Sequence, residues 1–441
     1  MSTHRCLPCK DTGLVWVGHV PSDWDVRRLG FYFSERRQKV SDTEFQPLSV
    51  TKLGIVPRLE TAAKSDDGDN RKMVRQGDFV INGRSDRKGS SGLSALQGSV
   101  SLINIVLRQI SPANMDFMHY LLRSIPFQEE FYRFGRGIVD DLWSTPFSEM
   151  RNIKLAVPPI PEQQAIAAFL DRETAKIDAL VAEQERLLAL LAEKRQAVIS
   201  RAVIQGLDPS VPMKDSGVQW ASMIPSHWLA VPLRYLARIG NGSTPNRDNL
   251  NYWESGTYPW VNSSQVNSPD VHEGAYFVTE AAMAQCHLPK VPVNSVLVAL
   301  TGQGKTRGKA SILRIEATIN QHVAYLSVDE SRLRPEFLRW TFETAYDFVR
   351  MESDGGGSTK GAITCEQLRN IQVLLPETEE QDRITQSVNK EVKRIGLLSV
   401  EAEQATNLLK ERRSALISAA VTGKIDVRGL VPAVEPARAA A

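Results

Sequence analysis

The sequence predicts two mixed α/β (α+β) domains joined by two long helices, which pair antiparallel as a coiled coil, so that the chain forms an internal repeat about a pseudo-twofold axis. Three observations predict this class. Blocks of matching residues recur along the chain, two long segments without proline carry apolar residues seven apart, and the segments between them mix strand-like and helix-like patterns. A chain of 441 residues is also too long for one ordinary hydrophobic core.

The repeat consists of two sets of matching blocks. The first set is related by an offset of 204 residues and begins at Lys10-Asp11-Thr12-Gly13 and Lys214-Asp215-Ser216-Gly217. The second set is related by an offset of 218 residues and begins at Arg151 and Arg369. Further matching pairs are Trp16/Trp220, Trp24/Trp228, Glu162/Glu380, Gln163/Gln381, Ile177/Ile395 and Asp208/Asp426. Because the offset changes between the blocks, the insertions lie in the middle of each half.

The matching blocks 162–205 and 379–422 are expected to form the long helices. About 44 residues at a rise of ~1.5 Å per residue extend roughly 65 Å. Neither block contains proline, and Gly206 follows the first one at the place where a helix commonly ends. The apolar spacing predicts that the helices contact each other along one seam. The predicted seam residues are Ile177, Leu180, Leu187, Leu191, Val198, Ile395, Leu398, Leu409 and Leu416.

The middle of each half is expected to be a mixed α/β domain. Residues 100–107, 294–300 and 323–328 have the apolar, β-branched composition of strands, whereas 116–123 and 335–350 have helical spacing. The expected boundaries are 1–23 for the leader and the start of the repeat, 24–153 for the first domain, 154–208 for the first helix, 209–227 for the junction, 228–371 for the second domain, 372–426 for the second helix and 427–441 for the tail. A shared scaffold with divergent middles suits two related binding sites for different ligands.

Composition excludes several classes of protein. The formal net charge of +2 argues against a protein that coats nucleic acid without regard to sequence, although it allows local basic patches. Four cysteines cannot form a disulfide framework in a chain of this length. No apolar run approaches the ~20 residues of a membrane-spanning helix. Since the first 30 residues also lack the apolar region of a signal peptide, we expect a cytoplasmic protein.

A glycine-rich segment in the second half allows three interpretations. Residues 296–306 run from a strand-like stretch into Gly304-Lys305-Thr306, as in a phosphate-binding P-loop. That motif requires glycine where Ala299 stands, and Gly308 disfavours the helix that must follow. A tight turn fits better. The third interpretation is a loop that presents its basic side chains to phosphate oxygens.

The first half has a counterpart to this loop. Residues 77–84 leave a strand-like stretch and enter the basic segment 85–89, and glycines also precede both long helices at 135–137 and 355–357. Solvated faces and flexible linkers remain alternatives for each segment. Their occurrence in both halves favours DNA contact. The candidate DNA-contacting residues are Asn82, Arg84, Arg87, Lys88, Arg136, Lys305, Thr306, Arg307, Lys309 and Lys360.

The sequence contains no recognisable set of catalytic or metal-binding residues. Cys6 and Cys9 have the spacing of metal ligands, but no second pair completes a zinc site. Cys286 and Cys365 are interpreted as packed thiols. The histidines form no cluster, and neither nucleophile motifs nor adenine-methylation loops are present. We therefore expect no catalytic residues, no bound metal and no cofactor in this chain.

The residues at the junction of the halves carry a resemblance to a known family. Residues 198–209, which read Val-Ile-Ser-Arg-Ala-Val-Ile-Gln-Gly-Leu-Asp-Pro, lead into 213–220, and the second half contains 242–245, 259–261 and 320–323 as Gly-Ser-Thr-Pro, Pro-Trp-Val and Asn-Gln-His-Val. In order and duplication these motifs resemble the specificity subunits of type I restriction-modification systems. The resemblance extends from about Lys10 to Asp426.

This resemblance implies a non-catalytic DNA-recognition subunit. Each middle would be a target-recognition domain for one half of an asymmetric, two-part site in double-stranded DNA, and the helices would set the spacer between the halves. Two modification (methyltransferase) subunits would dock along the helices and methylate adenine with S-adenosylmethionine. Restriction subunits, with ATP and Mg²⁺, would act as the motor and nuclease. Two other hypotheses remain, an ATP-driven nucleic-acid enzyme and a coiled-coil adaptor that does not bind DNA.

Overall fold

The computed structural model describes residues 8–59, 68–137, 143–302, 304–354, 361–428 and 430. The chain divides into two compact units. Unit 1 comprises Met1–Glu185 together with Glu403–Ala441, and unit 2 comprises Arg186–Ala402. Both divisions fall inside a long helix, so each unit contains the first part of one long helix and the last part of the other.

Unit 1 is built mainly from short antiparallel strands. The strands are β1 Cys9–Asp11, β2 His19–Pro21, β3 Asp25–Arg28, β4 Phe33–Glu35, β5 Lys39–Val40, β6 Leu48–Thr51, β7 Gly54–Pro57, β8 Arg71–Val74, β9 Phe79–Asn82, β10 Ser91–Leu93, β11 Gly98–Val100, β12 Asn104–Gln109 and β13 Lys154–Val157. The helices are α1 Leu29–Tyr32, α2 Met115–Arg123, α3 Ile125–Arg133, α4 Phe147–Met150 and the first part of α5 Ile160–Gln205, with a 3₁₀ turn at Ser85–Arg87.

The principal sheet of unit 1 has the strand order β10-β9-β12-β4. One face of this sheet packs against α2 and α3 because alternate residues of its central strands, such as Phe79 and Ile81, are apolar and buried. Asn114 begins α2 by accepting a hydrogen bond from the Phe117 amide, and Ser124 ends α2 and begins α3. The buried Phe117 and Phe127 of these helices complete the core.

Unit 2 repeats this plan with different peripheral strands. Its strands are β14 Met213–Val218, β15 Ala221–Pro225, β16 Leu229–Pro232, β17 Ala237–Asn241, β18 Tyr258–Val261, β19 Asp270–Val271, β20 Tyr276–Val278, β21 Val296–Ala299, β22 Ala310–Leu313, β23 Thr318–Ile319, β24 Val323–Val328 and β25 Gln372–Leu375. Its helices are α6 Glu280–Gln285, α7 Pro335–Thr344, α8 Tyr346–Asp354, α9 Cys365–Asn370 and the first part of α10 Thr378–Val421, with 3₁₀ turns at Leu233–Tyr235, Leu250–Tyr252 and Gln265–Asn267.

The sheets of the two units correspond strand by strand. The order β22-β21-β24-β17 in unit 2 matches β10-β9-β12-β4 in unit 1, and every pair in both runs is antiparallel. Likewise β14 and β15 match β1 and β2, and the pair β16–β25 matches β3–β13. Unit 2 adds β19 to its principal sheet, and it has a second sheet of order β20-β18-β23 where unit 1 has β11-β8-β5 and β6-β7. The divergent middles therefore share one scaffold.

The recurring tryptophans and glutamates anchor the long helices. Trp24 and Trp228 are fully buried, and the indole Nε1 of each donates a hydrogen bond to the glutamate near the start of the following long helix. The nitrogen-to-oxygen distances are 3.2 Å from Trp24 to Glu162 and 3.1 Å from Trp228 to Glu380. Trp24 and Trp228 therefore act as structural anchors for the long helices.

The recurring glutamines hold the same helices to the rest of each unit. Gln381 is fully buried; its side-chain oxygen accepts from the Arg334 amide at 2.7 Å, and its side-chain nitrogen donates to the Pro376 carbonyl at 2.9 Å. In unit 1, Gln163 accepts from the Asn114 amide at 2.7 Å and donates to the Pro158 carbonyl at 2.8 Å. Because a buried amide without partners is costly, these bonds explain why both halves carry glutamine here.

The two long helices pack antiparallel. In unit 1, Asp178 of α5 forms an ion pair with Arg413 of α10, and Glu185 forms one with Lys410, so the numbering rises along one helix while it falls along the other. In unit 2, the end of α5 shares a core with the start of α10 through Val203 and Ile384. The antiparallel helix pair predicted from the sequence is confirmed.

The predicted seam is wrong at three of its positions. Ile177, Leu191 and Ile395 are buried and Val198, Leu409 and Leu416 are partly buried, but Leu180, Leu187 and Leu398 are 52%, 40% and 42% exposed. The residue that turns towards the partner helix lies four positions after Ile177 or Ala402, not three. In α5 this residue is Val181, which is apolar like the exposed Leu180, and in α10 it is the polar Thr406. Apolarity therefore could not identify the face in contact.

Two local expectations also differ from the structure. The strand expected at 100–107 is interrupted, because β11 ends at Val100 and β12 begins only at Asn104. The helix expected at 335–350 is divided at Ala345 into α7 and α8. Cys6 and the tail from residue 431 onward lie outside the described residues. Among the described residues, no helix is long and apolar enough to cross a membrane.

Candidate nucleic-acid interface

The basic segment of unit 2 forms the loop of a β-hairpin. It connects β21 to β22, whose Val298 and Ala310 are paired across the turn. Helix α8 supports this loop: the Tyr346 hydroxyl donates to the Lys305 carbonyl at 2.7 Å, and the Arg350 guanidinium donates to the Gly304 carbonyl. Gly308 has a φ of 85° and lies against the Tyr346 ring, where a side chain would be strained. The loop backbone is thus held in place.

This geometry excludes a nucleotide-binding P-loop. A P-loop leads from a strand into a helix whose N-terminus binds the phosphates. Here the chain leaves β21 and returns as β22 of the same sheet, and no helix begins within 301–309 in the residues described there. Gln303 lies outside the described residues. The interpretation of Lys305 and Thr306 as a nucleotide cradle is therefore wrong.

The four candidate side chains of this loop have different environments. Lys305 is exposed, Lys309 is partly buried, and the Thr306 hydroxyl donates to Asn267 Oδ1 at 3.2 Å. Arg307 is only 7% exposed, which contradicts its expected role as a surface contact to DNA. Its burial follows from the packing of the returning arm of the loop onto α8, where Arg350 also approaches the Arg307 carbonyl.

Unit 1 carries the corresponding hairpin loop between β9 and β10. Tyr132 of α3 supports it by donating a hydrogen bond to the Arg84 carbonyl at 3.4 Å. Burial raises the pKa of Tyr132 to about 12, so its hydroxyl remains a donor near neutral pH. Gly89 has a φ of 84°, nearly that of Gly308 in the other loop. A tyrosine from a helix and a glycine in the left-handed region therefore shape both loops.

Most candidate residues of unit 1 lie close together on this loop. Arg84 is exposed, and Ser144 forms backbone bridges with both Arg84 and Arg136. Asn82 is only 6% exposed, which contradicts its expected position at the surface. Its Oδ1 accepts a hydrogen bond from the Arg84 amide at 3.0 Å, so Asn82 shapes the loop. Lys88 lies 5.4 Å from the centre of the Tyr132 ring.

Carboxylates already pair with several of these cations. Lys88 contacts Glu129 at 2.6 Å, Arg136 contacts Glu149 at 2.8 Å, and Arg87 lies 3.7 Å from Asp86. The cations are between 48% and 74% exposed, so the pairs contribute little to stability and can be exchanged for phosphate oxygens. Lys360 lies outside the described residues, so its position is not tested.

A groove of about 440 Å³ opens beside the loop of unit 1 and contains two arginines that the sequence did not single out. Arg58 and Arg71 line it together with Arg84 and Arg87. Arg71 is 8% exposed and donates to Ser99 Oγ at 2.8 Å, and burial lowers its pKa. In the sequence, each of these arginines is indistinguishable from an ordinary solvated residue. Only the fold shows that both line the same groove.

A groove of about 450 Å³ lies beside the loop of unit 2. Lys305 and Lys309 line it with Arg195 of α5 and Arg339 of α7. Arg195 and Arg339 share the carboxylate of Glu343, and burial lowers the pKa of Arg339. One carboxylate shared by two guanidinium groups leaves the wall of this groove cationic.

A chain of polar side chains joins three loops of unit 2, and the sequence did not reveal it. Thr244 Oγ1 donates to Gln321 Oε1 at 2.6 Å, and the Gln321 side-chain nitrogen lies 3.3 Å from His322 Nε2. The other ring nitrogen, His322 Nδ1, is 2.9 Å from the hydroxyl of Thr301 at the start of the hairpin loop. Gln321 and His322 are exposed, so they add polar groups to this surface.

Comparison with known proteins identifies one family for the second half of the chain. Residues 225–401, all of which lie within unit 2, match the family model of the type I restriction modification DNA specificity domain. Residues 225–401 belong to this domain family, and over most of its length the chain is similar to specificity subunits of type I restriction-modification systems. Members of this family are non-catalytic. No group of His, Cys, Asp or Glu that could hold a metal ion occurs among the residues described here.

Two relatives cover different shares of this chain. The specificity subunit of the type I restriction enzyme EcoR124I/EcoR124II from Escherichia coli is 23% identical over 282 residues, which are 63% of this chain and 63% of that protein. The MjaVIII specificity subunit from Methanocaldococcus jannaschii is 22% identical over 437 residues, 93% of this chain and 95% of that protein. The first alignment therefore spans less than two thirds of its relative, and the second nearly all.

Solved structures have the same fold. The HsdS subunit from Thermoanaerobacter tengcongensis matches with a TM-score of 0.54 and 18% identity over 92% of this chain and 98% of that one. A chain from a structure on complex assembly and conformational transition of the type I restriction-modification system matches with a TM-score of 0.66 and 19% identity, over 92% and 99% of the two chains. The two mixed α/β domains and the antiparallel long helices are features of this fold.

Proposed function

We propose that the two units of this specificity subunit recognise the two halves of an asymmetric, bipartite site in double-stranded DNA. The observation that carries the proposal is the recurrence of one device in both units. An antiparallel sheet of matching strand order presents a basic hairpin loop, and the hydroxyl group of a helix tyrosine donates a hydrogen bond to a backbone carbonyl of that loop. The scaffold is duplicated whereas the loop residues differ, as expected for two sites of different specificity.

The hairpin loops supply two kinds of DNA contact. Exposed lysines and arginines such as Arg84 and Lys305 neutralise phosphates, which strengthens binding to all sequences alike. Sequence is recognised by side chains that reach base edges, and the exposed arginine, glutamine and histidine groups beside the loops have the donors and acceptors for this. A net charge of +2 suits a subunit whose partners share the task of holding the duplex.

The long helices set the distance between the half-sites and dock the modification subunits. Helix α5 has 46 residues, or roughly 69 Å at ~1.5 Å per residue, and half-sites on one face of DNA lie about 34 Å or a multiple apart. Leu180, Leu187 and Leu398 are exposed on these helices, and such apolar residues favour a protein partner. S-adenosylmethionine would bind to the modification subunits, and ATP and Mg²⁺ to the restriction subunits, in a cytoplasmic complex.

Mapping of methylated adenine across a genome tests this function. Cells that carry the modification subunits together with the intact chain should methylate an asymmetric motif in two parts, separated by a spacer of fixed length. Cells without the chain should lose that motif while other methylation persists. Methylation of a continuous motif, or an unchanged motif in the absence of the chain, would contradict the proposal.

A further inference from the structure

Arg247 of unit 2 is held against three aromatic rings. Its guanidinium carbon lies 5.1 Å from the ring centre of Tyr276, 5.6 Å from that of Trp253 and 5.9 Å from that of Trp260. The rings also contact one another, with centres 5.4 to 6.2 Å apart. Attraction between the cation and the ring faces orients the guanidinium group. The chain's own arginine thus occupies this aromatic cluster.

No carboxylate neutralises Arg247 among the described residues, although its side chain is exposed. Two other ring-stacked arginines of the chain, Arg27 and Arg339, differ in this respect. Arg27 lies over Phe31 but pairs with Asp25 at 3.2 Å, and Arg339 lies over Trp340 but pairs with Glu343 at 3.5 Å. The donors of Arg247 therefore remain available to a ligand, while the rings restrict the plane of the group.

The loop that carries Arg247 is itself fixed. The indole nitrogen of Trp260 donates to the Ser243 carbonyl at 3.1 Å, and that of Trp253 donates to the Asn246 carbonyl at 3.1 Å. Gly242 packs so closely on the Ile319 carbonyl that no side chain could be accommodated there. The backbone on the N-terminal side of Arg247 is consequently held by the same rings that hold its side chain.

The polar chain described above connects this loop to the hairpin loop of unit 2. Thr244, three residues before Arg247, contacts Gln321, and the series of side-chain contacts continues through His322 to Thr301. The loop that carries Arg247 is therefore joined by hydrogen bonds to the candidate DNA-contacting loop.

We propose that Arg247 recognises a guanine in the half-site bound by unit 2, an inference that rests on the proposed function. A guanidinium group of fixed plane offers two parallel N–H donors, which match the O6 and N7 acceptors of guanine in the major groove. A phosphate contact requires only positive charge, whereas recognition of a base edge requires a fixed orientation. The aromatic cluster supplies that orientation without neutralising the charge.

The test measures adenine methylation by the complete complex of this chain with its modification subunits, on duplexes in which each base pair of the second half-site is varied in turn. Arg247→Ala and Arg247→Lys should both reduce discrimination at one G·C position by about 5- to 150-fold. Discrimination at every other position should persist. Lysine retains the positive charge but lacks the two parallel N–H donors of the guanidinium group. An equal loss of discrimination in both variants therefore identifies base recognition. Arg234→Ala is the matched control, since Arg234 is also exposed and lies 5.9 Å from the Tyr235 ring.

Two outcomes would overturn the inference. Retained activity in Arg247→Lys, with a uniform loss for all sequences in Arg247→Ala, would show a phosphate contact. Unchanged discrimination in both variants would show that Arg247 does not contact DNA. If Arg247→Ala failed to assemble, Arg247→Lys alone would decide, because relaxation at one position supports the inference and full discrimination contradicts it. The wild-type complex separates the two proposals, since absence of any bipartite motif in wild type would refute the proposed function itself.

Discussion

The hydroxyl group of Tyr346 donates a hydrogen bond to the backbone carbonyl oxygen of Lys305, with 2.7 Å between the two oxygens. Tyr132 makes the equivalent contact with Arg84 in unit 1 at 3.4 Å. Each tyrosine belongs to a helix outside the hairpin whose loop it supports. The position of the basic loop in each unit is therefore decided by packing on a helix, not by the loop residues alone.

Replacement of Tyr346 by Phe should weaken recognition of the second half-site. Loss of the hydrogen bond costs about 1 kcal/mol, equivalent to roughly fivefold, because the loop populates other conformations. The measurement is the rate of adenine methylation by the assembled complex on duplexes with single changes in either half-site. Tyr132→Phe is the matched variant and should affect the first half-site instead. Equal effects of Tyr346→Phe on both half-sites would contradict the assigned role.

Simultaneous replacement of Arg84, Arg87 and Lys88 by Ala should impair only the half-site bound by unit 1. Each lost phosphate contact should lower the slope of log affinity against log salt concentration by ~0.9, whereas each lost base contact should cost ~1–3 kcal/mol at one position. Binding of the assembled complex to DNA at several salt concentrations distinguishes these cases. Lys305→Ala with Lys309→Ala is the counterpart in unit 2. Loss of recognition at both half-sites from the triple variant would rule out this assignment.

Aspartate at Leu191 should destabilise the helix pair, whereas aspartate at Leu187 should not. Leu191 is 7% exposed and Leu187 is 40% exposed. A buried carboxylate without a partner costs about 3 kcal/mol or more, but a charge on an exposed position changes stability by ~0.5 kcal/mol or less. Thermal unfolding of the full chain measures this difference, and Ile395→Asp against Leu398→Asp repeats the comparison on α10, where Ile395 is 2% and Leu398 42% exposed.

The same variants test partner docking. Leu187→Asp and Leu398→Asp should leave the fold intact but reduce binding of the modification subunits, because they place charge on exposed apolar positions. Co-purification of those subunits with each variant provides the measurement. A stable Leu191→Asp protein would contradict the buried face identified in the structure, and undiminished co-purification with Leu187→Asp would contradict docking at that position.

Unit 1 should lose stability as the pH falls from about 6.5 towards about 4. His119 Nδ1 accepts a hydrogen bond from the Leu93 amide at 3.1 Å, and burial, with the charges of Arg123 and Arg413, lowers the pKa of His119 to about 4. The folded state therefore holds His119 neutral. The unfolded state gains a proton below about 6.5, so the stabilisation is complete above that pH and decreases by about 2 kcal/mol near pH 5.

Hydrogen exchange of the Leu93 amide in the full chain measures this effect locally. Exchange in the wild type should quicken as the pH falls from about 7 to about 5, after correction for the intrinsic rate. His119→Gln retains an acceptor for the Leu93 amide but cannot gain a proton in this range, so its corrected exchange should depend less on pH. An identical pH dependence in both proteins would show that His119 does not titrate as inferred.

The repeat and the long helices were predictable because their determinants are local or identical. Matching pairs such as Trp24 and Trp228 are visible in the chain without knowledge of their contacts, and helix formation over dozens of residues requires only the absence of proline and a regular apolar spacing. The choice of the buried face was not predictable. Leu180 and Val181 are both apolar, and only the partner helix decides which of them it covers.

The sequence by itself determined that the chain is duplicated, that its halves share a scaffold and that each middle carries a basic, glycine-containing segment. Tertiary structure alone decided which residues of those segments are exposed at the surface. It buries Arg307 and Asn82, brings Arg58 and Arg71 beside Arg84, and holds Arg247 among aromatic rings. The physical reason is that exposure and charge pairing depend on contacts between residues distant in the chain, which the order of residues does not express.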